Sequence, residues 1–132
     1  MGRRFMIKVT LSTVVNSNEI FQKLVTTKMR ARAAFRTAKL TTAIAKELEL
    51  FNTQREAILR KYGEKDSNGE LIVQANGTVN IEEEHINDFN QELFELLNTE
   101  VELNAEPLTV DDIDAAELTP AQVQMLGDLL VE

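Results

Sequence analysis

Three observations predict a helix-dominant α+β fold in a single domain for this 132-residue chain. Residues Met29 to Tyr62 contain neither Gly nor Pro and are rich in Ala, Leu, Glu, Lys and Arg, the composition of a long helix. Asn-Gly pairs at 68–69 and 76–77 bracket a short extended stretch, the signature of a tight β-turn region. Thr119-Pro120 supplies a capping hydroxyl followed by proline at the first helical position. Together they predict a long N-terminal helical region, small β-hairpins, an acidic helix and a short C-terminal helix. The chain is long enough for one domain of ordinary size and too short for two with cores of their own. Within it, a basic arm and helix over 1–39 is expected to precede an acidic α+β body over 40–132.

Phe5 to Leu11 alternates apolar and polar residues around Ile7 and Val9 and reads as a short strand or extended arm. Ser17 or Asn18 can cap a helix beginning near Glu19, which places Ile20, Phe21, Leu24 and Val25 on one face. In the long helix, Leu40, Ile44, Leu48, Phe51, Ile58 and Tyr62 form one apolar seam at helical period, with Arg55 at the intervening position. Gly63 is the expected stop, where a left-handed residue costs least. A straight helix over that range would be roughly 50 Å long at 1.5 Å per residue. A break near Thr41-Thr42 or Asn52-Thr53, or a partner covering the overhang, is therefore expected.

Leu71 to Gln74 is predicted to pair with Thr78 to Ile81 as a hairpin. Helical period returns from Glu82 to Asn98, with Ile86, Phe89, Leu93 and Leu97 on one face and Asn90 and Phe94 beside it. Glu82, Glu83 and Glu84 sit in its first turn, where the positive end of the helix dipole favours them. Val101, Leu103, Leu108 and Val110 suggest a second strand pair around the turn at Ala105 to Pro107, and the last helix runs through Val123, Leu126, Leu129 and Leu130.

The net charge of -8 conceals a separation of sign along the chain. Residues 1–39 carry nine Lys or Arg against Glu19 alone, whereas residues 40–132 carry five against 21 acids, and no base follows Lys65. Such a layout can fold basic against acidic within one chain, pair the basic part of one copy with the acidic part of the next, or present two charged faces to different partners.

With no cysteine, disulfides, thiolate metal sites and cysteine nucleophiles are excluded. The apolar runs are far below the roughly 20 residues that span a bilayer, Arg3-Arg4 lacks a following apolar core, and Met6 departs from the myristoylation pattern that Met1-Gly2 would open. The expected location is the cytoplasm of a bacterial host, or the virion. His85 with Glu84 or Asp88 offers a base or a metal pair; a surface helix residue is the preferred reading. The Glu64 to Leu71 segment puts Asp66, Asn68 and Gly69 at calcium-loop positions, but Ala75 stands where a closing glutamate belongs, so a plain turn is expected. Scattered glycines exclude a phosphate loop, and Asp111, Asp112 and Asp114 read as a solvated turn. No catalytic residue, metal or cofactor is expected.

The stretches Lys61-Tyr62-Gly63-Glu64-Lys65-Asp66-Ser67-Asn68-Gly69 and Phe89-Asn90-Gln91-Glu92-Leu93-Phe94-Glu95-Leu96-Leu97-Asn98-Thr99-Glu100-Val101, with the Asn76-Gly77 turn between them, carry a resemblance. The chain from about residue 40 to the end resembles a family of small uncharacterised proteins encoded by tailed bacteriophages and prophages, mainly of Gram-positive bacteria. The resemblance implies a helical N-terminal half ending in a Lys-Tyr-Gly turn, then a hairpin, a helix ending in Leu-Leu-Asn, a short strand pair and a final helix. It implies a phage or prophage setting and no particular activity.

Function is therefore expected through contacts. The leading expectation is a non-enzymatic protein acting on a protein partner or on itself as a homo-oligomer, in a structural or assembly role. The alternatives are an acidic inhibitor of a host defence or nucleic-acid enzyme, and a nucleic-acid-binding accessory. No membrane or small-molecule substrate is expected. The candidate surfaces are basic (Lys28, Arg30, Arg32, Arg36, Lys39, with Arg32, Arg36 and Lys39 on a common face), apolar (Leu40, Ile44, Leu48, Phe51, Ile58, Tyr62) and acidic (Glu82, Glu83, Glu84, Asp88, Glu92, Glu95).

Overall fold

The structure, a computed structural model, describes residues 6–132; Arg3, Arg4 and Phe5 of the expected basic arm and strand lie outside it, as does the Met1-Gly2 start. The fold is α+β with helix dominant. In chain order the elements are β1 (Ile7–Thr10), α1 (Leu11–Leu24), α2 (Ala31–Tyr62), a 3₁₀ turn (Glu83–His85), α3 (Ile86–Leu97), β2 (Glu100–Leu103), β3 (Leu108–Thr109), α4 (Val110–Ile113), a second 3₁₀ turn (Asp114–Ala116), α5 (Pro120–Leu126), a third (Gly127–Leu129) and β4 (Leu130–Val131). Two compact units emerge where the sequence reading expected one domain: the chain up to Glu49 with Thr99–Glu132, and Leu50–Asn98.

The first unit holds the main core. Alternation in β1 buries Ile7 and Val9, which sit opposite Leu103 and Val101 of the antiparallel β2. Helix α1 starts at Leu11, eight residues before the expected start. The Thr10 side chain accepts from the Thr13 N–H, the Leu11 N–H is taken by the Thr99 carbonyl at 2.9 Å, and Ser17, one of the expected caps, is instead buried and donates to the Val14 carbonyl. Val14, Ile20, Phe21 and Leu24 enter the core, while Val25 lies at the helix end and is exposed.

The strands near Ala105 exist, but with different partners. Rather than forming a hairpin, β2 pairs with β1 and β3 pairs in parallel with β4, Leu108 opposite Leu130. The parallel pair needs a crossover, which α4 and α5 supply. Thr119 caps α5 in a capping box with Gln122, as Thr119-Pro120 predicts, and the helix ends at Leu126 before Gly127, whose φ is 51°. Leu126 and Leu129 are fully buried.

Helix α2 is unbroken over 32 residues, about 48 Å at 1.5 Å per residue. Thr41 and Thr42 do not interrupt it, because their hydroxyls donate to the Thr37 and Ala38 carbonyls one turn back. The overhang has a simple resolution: α2 belongs to the first unit as far as Glu49 and to the second from Leu50. The charge boundary at 39/40 falls inside it.

In the second unit, Gly63 ends α2 without a positive φ. Its role is close approach: a Cβ there would lie 2.5 Å from Leu71 Cδ1, 2.6 Å from the Leu59 carbonyl oxygen and 2.7 Å from Val79 Cγ1. The expected ladder of Leu71–Gln74 on Thr78–Ile81 does not form. Gly63 bridges Ile81 and Lys65 bridges Leu71, so the chain after α2 lies between the two segments; only the Asn76-Gly77 turn closes as expected, with the Gln74 N–H donating to the Thr78 carbonyl. Helix α3 begins four residues later than predicted, behind its acidic 3₁₀ turn. Phe89, Leu93, Leu96 and Leu97 are half-buried, whereas Ile86 and Phe94 are exposed.

Candidate interaction site

Across residues 28–46, α2 and the turn before it carry Lys28, Arg30, Arg32, Arg36, Lys39 and Lys46 with no acid. The structure does not keep the candidate cations together. The Arg36 guanidinium is spent inside the first unit: Nε donates to Glu106 Oε2 at 3.1 Å and Nη1 to both Asp112 oxygens at 3.3 Å. Asp112 also accepts the Thr109 N–H in the capping box that starts α4. Burial acts to raise the Asp112 carboxyl, but the Thr109 N–H and hydroxyl and the Arg36 guanidinium outweigh it and hold the group below its ordinary value. Asp112 is therefore a buried anchor and not part of a solvated turn, although Asp111 and Asp114 are exposed.

Arg36 thus leaves the face expected to be shared with Arg32 and Lys39. Lys28, Arg30 and Arg32 line a cleft of about 750 Å³ with Arg36 and the Asp111, Asp112 and Asp114 cluster. The Lys39 ammonium lies 5.0 Å from the centroid of the Phe35 ring, within cation–π range.

The apolar seam is mostly spoken for within the chain itself. Leu40 and Ile44 belong to the core of the first unit, with Leu48 packed against it, and Phe51 is buried in the second unit. Ile58 and Tyr62 are half-buried. The seam is therefore not the free surface that a partner helix would cover, and its first half packs on α1, β1 and β2 residues rather than on the helix from Ile86 to Leu97.

A different face of α2 is open. Phe35, Ala38, Thr42 and Lys46 recur at helical spacing away from the seam and, with Lys39, Ala43 and Glu47, form a groove of about 510 Å³ closed on its other side by Glu102, Leu103 and Asn104. Phe35 is 63% exposed. The signal for this face was in the sequence as an aromatic residue out of phase with the seam.

The acidic candidates divide as well. Glu92 accepts from Lys61 at 2.6 Å, a contact that raises the lysine and lowers the carboxyl from their ordinary values. Glu82 and Glu84 flank the His85 ring nitrogen at 3.4 and 3.5 Å, and the ring tilts against Tyr62 at 5.6 Å. His85 therefore meets Glu84 as expected and Glu82 in place of Asp88. These three residues bring a ligand atom each within 4.8 Å of one another. Glu95 accepts from Gln91, and Glu83, Asp88 and Glu95 are exposed. Asp66 accepts the Asn68 and Glu70 N–H groups, the plain turn predicted in place of a calcium loop.

No protein family, curated protein or solved structure matches this chain. Any reading of its function therefore rests on the surfaces themselves. Among the described residues no helix is long and apolar enough to cross a membrane.

Proposed function

We propose that this chain works through protein–protein contacts rather than catalysis, as a self-assembling structural or assembly component, in the phage or prophage setting that its resemblance implies. One observation carries the reading. Between Leu50 and Asn98, Phe51 is the one buried hydrophobic side chain among the described residues, while Leu50, Ile72, Val73, Ile86 and Phe94 are exposed. A unit that leaves this much of its apolar surface in water gains by covering it with another chain.

The test is the mass of the full chain in solution by light scattering, over a range of concentration, at low and high salt, with and without duplex DNA. A concentration-dependent oligomer, indifferent to DNA, is the expected result. A monomer throughout would end the self-assembly reading and favour the acidic inhibitor of a host enzyme. A second reading has its own observation: Lys28, Arg30 and Arg32 are exposed at the start of α2 with no ion pair to them among the described residues. A mass increase on adding DNA would favour that nucleic-acid reading instead.

A further inference from the structure

We infer that the groove on α2 takes α3 of a second copy of this chain, so that copies join head to tail; the inference rests on the self-assembly reading above. The groove has one apolar floor and one basic wall. Phe35, Ala38 and Thr42 present its open face, Leu103 lies opposite, and Lys39 and Lys46 stand along it. Neither lysine has an ion pair among the described residues.

The occupant is identified by what α3 leaves open. Ile86, Asn90 and Phe94, at i, i+4 and i+8, form an exposed ridge, with Ile86 at 42% and Phe94 at 64% exposure. Asp88, Gln91 and Glu95 border it and are exposed too. Helix-in-groove docking uses anchors at this spacing.

Charge favours the pairing and fixes its direction. Residues 20–46 contain no acid, and residues 66–132 contain no Lys or Arg. A groove on the first segment and a ridge on the second are therefore complementary between copies, whereas groove against groove or ridge against ridge would oppose like charges. Because the two surfaces differ, each copy bound still offers one free groove and one free ridge. Such a heterologous contact closes into a ring if the rotation per copy permits, and otherwise extends as a filament.

The experiment compares the full-length chain with two variants, Ala38→Glu in the groove and Phe94→Glu on the ridge, by light scattering at low salt, with circular dichroism to check folding. Both positions are exposed in the isolated chain. Each variant alone is expected to lose self-association at least tenfold. An equimolar mixture is expected to form a complex of two chains and no larger one, because only the ridge of Ala38→Glu and the groove of Phe94→Glu remain intact.

Lys46→Glu, a change at an exposed lysine, provides a second route. It should weaken association, and a partner carrying Glu95→Lys should restore it. If the wild-type chain is monomeric, the self-assembly reading falls and this inference with it. If the wild type assembles and both single variants assemble equally well, the groove and ridge are not the interface, and the broader reading stands. Loss in both single variants with no pairing in the mixture would show a contact between like surfaces and overturn the head-to-tail arrangement.

Discussion

Arg36 illustrates how one side chain can change meaning between sequence and structure. In the sequence it is one of a run of cations, and nothing local marks it as different, because Glu106 and Asp112 lie about seventy positions away in the chain. Their proximity is a consequence of packing α2 beside α4, which no spacing rule encodes. With Asp112 buried and Arg36 partly so, Arg36→Ala strips charged hydrogen bonds from a carboxylate that has little water to replace them. We expect a loss of roughly 2 kcal/mol in urea unfolding, whereas Arg32→Ala, at an exposed position, should leave the midpoint nearly unchanged. The same carboxylate gives a pH dependence. Its folded pKa lies below the unfolded value of about 3.9, so its contribution is fully present above that value and disappears as pH falls through the folded one. Stability measured on acidification should fall in that window, and Asp112→Asn should be less stable at neutral pH but flatter across it. Gly63 is a second residue whose role was misread: the sequence suggested conformational freedom, and the structure shows a lack of room. Gly63→Ala should cost about 1–3 kcal/mol, because one of the atoms met is a backbone oxygen that cannot swing away; an unchanged melting curve would refute that packing.

Elements were legible where their signals are local. The composition of α2 and the Thr119-Pro120 start of α5 are statements about neighbouring residues, and both elements formed where they pointed. The start of α1 was local too but was assigned to the wrong hydroxyl, since Thr10, Ser17 and Asn18 all carry capping side chains. What decides among them is that β1 must end at Thr10 and that Leu11 and Val14 are needed in the core. Thr10→Ala should accordingly destabilise the first unit by about 1 kcal/mol, and Asn18→Ala by much less; equal effects in thermal unfolding would count against the assignment. Strand partners were not legible, because pairing is a non-local choice. Leu103 and Leu108 were recognised as strand residues, but joining them to each other ignored β1 and β4, ninety-odd and twenty-odd residues away. The hairpin around Asn76-Gly77 failed for a similar reason: the segment after Gly63 competes for the same backbone groups, with the Glu64 N–H bound to Asn80 and its carbonyl to Ile72.

At the scale of the molecule, charge and burial divide the chain differently. The change from basic to acidic sequence at 39/40 is plain in the sequence, yet solvated charges do not decide what packs, and the units part at Glu49/Leu50 and Asn98/Thr99. The candidate surfaces suffered accordingly: the seam was recognised as apolar, but the residues that bury it in the first unit come from both ends of the chain and could not be placed in advance. This division has a measurable consequence. The first unit encloses Ile20, Phe21, Leu40, Leu103, Leu108 and Leu126, whereas the second buries only Phe51 among its hydrophobic side chains. Burial of apolar surface is the main favourable contribution to folding, so the second unit has the smaller reserve against local opening. Native-state hydrogen exchange at low protein concentration should therefore show the amides of α3 exchanging through a lower-energy opening than those of α1, β1 and β2. Raising the concentration under assembling conditions should slow exchange in α3, because a partner that binds only the closed form stabilises it by mass action, while α1 should stay as it was. Exchange in α3 as slow as in α1 at high dilution would mean that the second unit is held closed without a partner, and the apolar ridge would lose its reason to seek one.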